Sequence, residues 1–263
     1  MHMTLMSHRQ DIPPRHKVIS RYRASGTHLA ISFIVGITSF LSFWFIWYPA
    51  PLFAIMGGMG MYGIVFLVDV GLGPLLTLVV WKQGKRGMKF DMTFIIVAQI
   101  IALSYGVHVL WAGRPVFIAA VSGDRFDVVA ANEVDQQDLD ASHRSLPIWG
   151  PEWVSTHAPT DIALKNRVVS GALAGKDYGH FPQLHIPLGP DLKNLYQKAR
   201  TIEELQTFNK ADDKKAIMSW VNRQGVDPQK LKYLPLHARE RDAAVFIDGA
   251  NYRIVGVAVF TPW

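Results

Sequence analysis

The chain of 263 residues contains no cysteine. Disulfides, cysteine-held zinc, iron–sulfur clusters and thiol nucleophiles are therefore excluded, and any folded part must hold together by burial alone. Charge is scarce in the first half. Residues 28–48 have no Asp, Glu, Lys or Arg, and residues 52–80 have a single charged side chain, Asp69. No phosphate loop, GxGxxG or HExxH occurs. His180 and His185 are five apart with Pro182 between them, a poor spacing for a metal on one helical face. Asp177 and His180 flank Tyr178-Gly179 and read as a turn, not an acid–base pair, and Ser170-Gly171 is no nucleophile elbow. No catalytic residue, cofactor or metal is expected, and the chain does not read as an enzyme.

What is present is apolar length. His28 to Tyr48 gives a first span of about 28–48, ending in Trp44, Trp47 and Tyr48, the aromatic belt of a membrane interface. Leu52 to Val80 gives a second, and about 92–111 a third, closed by Trp111. At about 1.5 Å rise per residue each covers most or all of the roughly 30 Å of bilayer hydrocarbon. The segment ahead of the first run is long, and Pro49-Ala50-Pro51 follows it, so a signal anchor is expected instead of a cleaved leader.

The formal charge of +6 has a location. Residues 1–113 hold nine basic against three acidic side chains, whereas 114–263 hold eighteen of each. The excess sits in Arg9, Arg15, Lys17, Arg21 and Arg23, and in Lys82, Lys85, Arg86 and Lys89, with none at 49–51. The positive-inside rule places both clusters in the cytoplasm and the C-terminal part across the membrane, in the periplasm of a Gram-negative host. A nucleic-acid partner is not expected, since the C-terminal domain has no net pull on polyanions. The expected organisation is a cytoplasmic basic segment at 1–27, a three-helix transmembrane domain at 28–112, and a periplasmic domain at 113–263 that folds by its own burial.

The second span is unusual for an anchor. Gly57, Gly60 and Gly63 recur every third position, a spacing that permits close helix approach in lipid. Asp69, Gly71, Gly73 and Pro74 follow. Pro74 lacks an N–H and clashes with the carbonyl of Val70, so a kink or break beside Asp69 is expected. A carboxylate near mid-span is costly and marks a candidate functional site. Two readings stand side by side: Asp69 satisfied by Ser39, Ser42, Tyr62 or water, locking the helices together, or Asp69 gripping a partner. Ion or proton conduction has little basis, because no second intramembrane carboxylate exists.

The C-terminal part opens and closes with hairpins. Pro115 to Val121, Ser122-Gly123-Asp124 and Arg125 to Ala131 form one; Ala243 to Ile247, Asp248-Gly249 and Tyr252 to Phe260 form the other. Between them helices are expected over Ile162 to Leu173, capped by Thr160/Asp161, and from Pro190 with Leu192, Leu195, Tyr196 and Ala199 on one face. Thr201 and Glu204 form a capping box, and Asp212/Asp213 open a helix that buries Ile217, Trp220 and Val221 and stops at Gly225. The fold class expected is three N-terminal transmembrane helices followed by an α+β domain whose terminal antiparallel hairpins pair into one antiparallel sheet.

Several of these segments carry a resemblance. WYPAPLF (47–53), LVDVGLGPLLTLVV (67–80), the basic loop with KFD (89–91) and GRPVFIAAVSGDRFDVV (113–129) resemble the TfpX/TfpZ family of type IV pilin accessory proteins. PTD (159–161), a Gly-Lys-Asp-Tyr segment, YLPL (233–236) and a terminal TPW (261–263) match more loosely, and the likeness runs over residues 20–263. The polar stretch 133–143 departs from the pattern. The resemblance implies a non-catalytic, chaperone-like inner-membrane protein that assists pilin stability, pilus assembly or pilus dynamics. Its partner would be the major pilin, met at the membrane helix and head domain. The candidate contact residues are Asp69, Gly57, Gly60, Gly63, Gly71, Gly73 and Pro74. Competing classes are a pilin-modifying, glycosylation-type membrane enzyme and a small membrane sensor.

Overall fold

The computed structural model describes residues 20–82 and 84–263; the basic residues Arg9, Arg15 and Lys17 lie outside them. Three helices are long and apolar enough to cross a membrane: Arg21–Trp47, Gly58–Val80 and Met88–Ala112. The first and third are longer than the apolar runs alone suggest. Arg21 and Arg23 extend one, Met88 to Asp91 the other, since charged ends outside the hydrocarbon do not stop a helix.

The second span differs from its expected bounds. It starts at Gly58, not at Leu52. Leu52–Ile55 is a separate turn of helix, and Gly57 adopts φ 77°, a left-handed turn that suits glycine, before the span begins. Phe53, Ile55 and Met56 are all 1% exposed or less. Their apolar character reflects burial beneath the C-terminal domain instead of contact with lipid. The carbonyl of Ile55 accepts from the backbone N–H groups of Glu240 (2.9 Å) and Arg241 (3.2 Å).

The C-terminal domain is α+β, built on one mixed sheet in the order β4-β3-β1-β2-β6-β7-β8. The strands are β1 (Pro115–Val121), β2 (Arg125–Ala130), β3 (Glu152–Thr156), β4 (His185–Pro187), β5 (Arg200–Thr201), β6 (Leu231–His237), β7 (Ala243–Asp248) and β8 (Arg253–Ala258). Both terminal hairpins form in antiparallel register. They do not pair with each other directly in one antiparallel sheet, as the sequence suggested: β6 lies between them, parallel to β2 and antiparallel to β7, and β3 runs parallel to β1. Pro235 lacks a donor, which disfavours a central strand. It is tolerated because β2 reaches β6 only at Leu236 and His237, while β5 pairs with Tyr233 and Lys232, which leaves a gap beside the proline.

Helices form where the capping pattern places them. Asp161 caps Ile162–Ala172, Thr201 and Glu204 make a reciprocal capping box, and Ala211–Arg223 buries Ile217 and Val221 and sets Trp220 against Phe246 at 4.2 Å. Leu192, Leu195 and Ala199 pack inward together. One cluster then crosses the compositional boundary at 113. Phe43, Tyr48, Leu52, Phe53, Ile55, Met56 and Leu110 join Ile118, Phe126, Leu234, Val245 and Ile247 in a single core.

Candidate functional site

Asp69 stands eleven residues from each end of the Gly58–Val80 span and is 7% exposed. Around it, where a kink or break was expected beside Pro74, the helix runs on through a widened π-helical turn, Leu67–Leu72. The amide of Gly73, which in an α-helix would bond the carbonyl of Asp69, instead reaches back to Val68. The freed Asp69 carbonyl is satisfied from the third span by Nε2 of Gln99 at 3.1 Å. Gln99 passes directly over Gly73, and a Cβ there would overlap its amide. Proline, glycine and glutamine thus act as one device: Pro74 disturbs the ladder, and Gln99 repairs it through the space that Gly73 leaves. On the other side, Ser25 Oγ donates to the carbonyl of Pro74 (2.8 Å), and His28 Nδ1 lies 2.6 Å from Thr77 Oγ1.

The carboxylate itself has no hydrogen bond among the described residues. Ser39 and Tyr62, its expected local partners, are engaged elsewhere: Tyr62 donates to the carbonyl of Gly36 and lies 3.0 Å from Ser39 Oγ. Ser42 donates to Thr38 at 2.9 Å. Two grooves end at Asp69. One, of about 370 Å³, runs between the first and third spans and includes His28, Ser32 and Gln99. The other, of about 390 Å³, lies between the second and third spans against Val65 and Gly106. The second span is central, packed on both neighbours, and its buried acid faces the gap between them.

The other candidate residues separate into three groups. Gly73 and Pro74 are buried beside Asp69. Gly57 forms the turn under Glu240. Gly60, Gly63 and Gly71 are exposed, and a Cβ on Gly60 or Gly63 would meet nothing within 4 Å, so within this chain their spacing brings no neighbouring helix close. That approach is made by Gly36 against Phe66 and by Gly106 against Val65. Neither glycine stands in a repeat, so spacing gave no signal. Gln99, the single amide in the third span, was the available clue to the site.

The charged cleft of the C-terminal domain, about 600 Å³, gathers Arg125, Asp127, Glu133, Lys176, Asp177 and Arg239. These charges are spent on one another: Arg125 pairs with Asp127 (2.9 Å) and Asp177 (2.6 Å), Arg239 with Glu133 (2.6 Å), and Lys176 with Asp135 (3.1 Å). Asp177 and His180 close a capping box, the turn expected of them. His185 stacks edge-on against Phe117, donates through Nε2 to Gly179, and is pushed down to about 4 by burial, which keeps it neutral near pH 7. Among the described residues no group of three or more His, Asp or Glu side chains is arranged to hold a metal.

Three spanning helices with an acid at mid-depth, and an α+β domain seated on their ends, define a multi-pass membrane protein with a folded extramembrane domain. A family model described as "Fimbrial assembly protein FimB" matches residues 16–57. The fimbrial assembly protein of Dichelobacter nodosus serogroup E1 is 24% identical over 221 residues, 81% of this chain and 85% of the relative. That of serogroup I is 24% identical over 219 residues with the same coverage. The protein of serogroups C1 and C2 is 33% identical over 98 residues, 36% of this chain and 75% of the relative. The chain belongs to the fimbrial assembly protein family. No solved structure gives a significant match.

Proposed function

We propose that this protein is a non-catalytic accessory factor of type IV pilus assembly, of the TfpX/TfpZ kind, that holds the major pilin in the bacterial inner membrane. The observation that carries this reading is Asp69. A carboxylate buried at mid-span, without a hydrogen bond among the described residues and open to two grooves, is an expensive group in a chain that needs only an anchor. A pilin waits in the membrane on a single apolar helix, and a polar or charged group on that helix would complete the site. The names of the relatives support the assembly role. Tagged protein, crosslinked in membranes and purified, should carry the major pilin with it; absence of pilin under conditions that capture known neighbours of the assembly machinery would end this reading.

The same proposal sets the orientation, with the N-terminus in the cytoplasm and the C-terminal domain in the periplasm beside the pilin head. Arg21 and Arg23 in the first turn of the first spanning helix and Lys82, Lys85 and Arg86 between the second and third support it, as does the absence of Lys and Arg from 49–51. Alkaline phosphatase fused after Trp263 should be active and a fusion at Gly84 inactive. The reverse pattern would remove contact with a periplasmic head domain.

A further inference from the structure

Loop 146–151 of the C-terminal domain has the sequence Leu-Pro-Ile-Trp-Gly-Pro. It turns two large apolar side chains outward: Ile148 is 57% and Trp149 is 76% exposed. On a soluble surface that pair would be a liability with no purpose. Its position supplies one. The backbone N–H of Gly150, the residue after Trp149, donates to the carbonyl of Ile46 at 3.0 Å, and Ile46 lies in the last turn of the first span. Arg114, just past the end of the third span, donates to the carbonyl of Pro147 at 3.4 Å while its guanidinium lies 3.6 Å over the ring of Trp111. The loop is therefore tied to the ends of two spans, at the depth of Trp47 and Trp111, whose rings pack at 4.9 Å.

Wherever the span ends meet the bilayer, the loop meets it too. Phe45, one residue from the hydrogen-bonded Ile46, is 71% exposed on the outer surface of the span. Trp149 immediately precedes Gly150, whose N–H is bonded to the residue after Phe45. Tryptophan favours this zone because its apolar body and its N–H suit the boundary between acyl chains and headgroups. Gly150 takes φ 58°, a left-handed turn in which a side chain is rarely accommodated, so the bend that aims Trp149 is set by the backbone.

We infer that loop 146–151 is a second membrane anchor: Ile148 and Trp149 insert into the bilayer interface and hold the C-terminal domain down on the lipid surface. The contact is with lipid, not with a partner protein, and it is independent of the pilin-binding reading and of the orientation. It fixes the tilt of the domain over the spans at a point in sequence far from either.

The absence of cysteine makes the test direct, because any introduced cysteine is the only one. Trp149→Cys, Ile148→Cys, Phe45→Cys and Asp124→Cys, each in the full chain, are labelled with a nitroxide and reconstituted into phosphatidylethanolamine/phosphatidylglycerol vesicles without pilin. Phe45 reports lipid, and Asp124, in the hairpin turn at the far end of β1 from the third span, reports water. All four positions are partly or fully exposed, so the fold should tolerate the label. Collision with oxygen should exceed collision with a polar nickel complex at 148 and 149, shifting their depth parameter to the lipid side with Phe45. Values at 148 and 149 that fall with Asp124 would overturn the inference. If those aqueous values then became protected on adding pilin, the loop would be a protein contact and the lipid assignment would equally fail.

Discussion

Replacing Phe53 by alanine is expected to lower stability by about 3–5 kcal/mol, the usual cost of emptying a fully buried aromatic site. For a chain of this size that amounts to a fall in Tm of roughly 6–20 °C. The large effect follows from where Phe53 sits. It is 0% exposed, packs its ring edge-on to Phe40 and Tyr48, and belongs to the core that also holds Leu234, Val245 and Ile247 of the sheet. Its loss removes packing from the membrane part and from the C-terminal domain at once. The measurement is thermal unfolding of the purified full chain in detergent, with Phe53→Leu expected to fall between wild type and alanine. A change of 1 °C or less for alanine would mean that the two parts do not share a core. The same packing bears on the expectation that residues 114–263 fold by their own burial. Expressed without the spans, that fragment exposes the sheet surface normally covered by Phe53, Ile55 and Met56, so it should melt without a sharp transition.

Asp69→Asn is expected to leave protein level and topology intact while sharply reducing pilin crosslinking and surface piliation. Asparagine keeps the size and hydrogen-bonding capacity of the side chain and removes its charge. An aspartate at mid-span costs about 2.5–3.5 kcal/mol of insertion on translocon scales, so Asn should if anything insert more readily. Any loss of piliation then belongs to the partner. Asp69→Leu is the companion: the π turn is held by the main chain of Asp69 and by Gln99, not by the carboxylate, so abundance should persist in it as well. Normal piliation with Asp69→Asn at wild-type abundance would sink the partner contact. Loss of the protein itself in Asp69→Leu would restore the alternative in which the acid locks the helices. Gln99→Leu separates the two roles further, because it leaves the carboxylate but strands the Asp69 carbonyl, and it should lower abundance.

Much of this was legible in the chain of amino acids. Apolar run length and the single internal charge marked three spans and their one costly residue, because the bilayer imposes a length and penalises charge regardless of the fold. Turn and cap residues placed the two hairpins and the helices near Ile162–Ala172 and Ala211–Arg223, because caps and φ preferences act within a few residues; the helix expected from Pro190 starts earlier, at Leu188, and ends at Lys198, before Ala199. Tertiary structure decided what depends on distant neighbours. Leu52 to Met56 reads as membrane by hydropathy, yet the sheet covers it, since burial in protein and burial in lipid select the same side chains. Gly60 and Gly63 face outward, while Gly36, Gly73 and Gly106 receive neighbouring helices; close approach depends on which helix lies opposite. β6 contains a proline that argues against a strand and becomes central only because β5 and β2 leave the donor-free position open. The carboxylate of Asp69 could be named from the sequence, but tertiary structure leaves it without a hydrogen bond among the described residues, between two grooves, because Ser39 and Tyr62 bond each other and the main chain of Gly36.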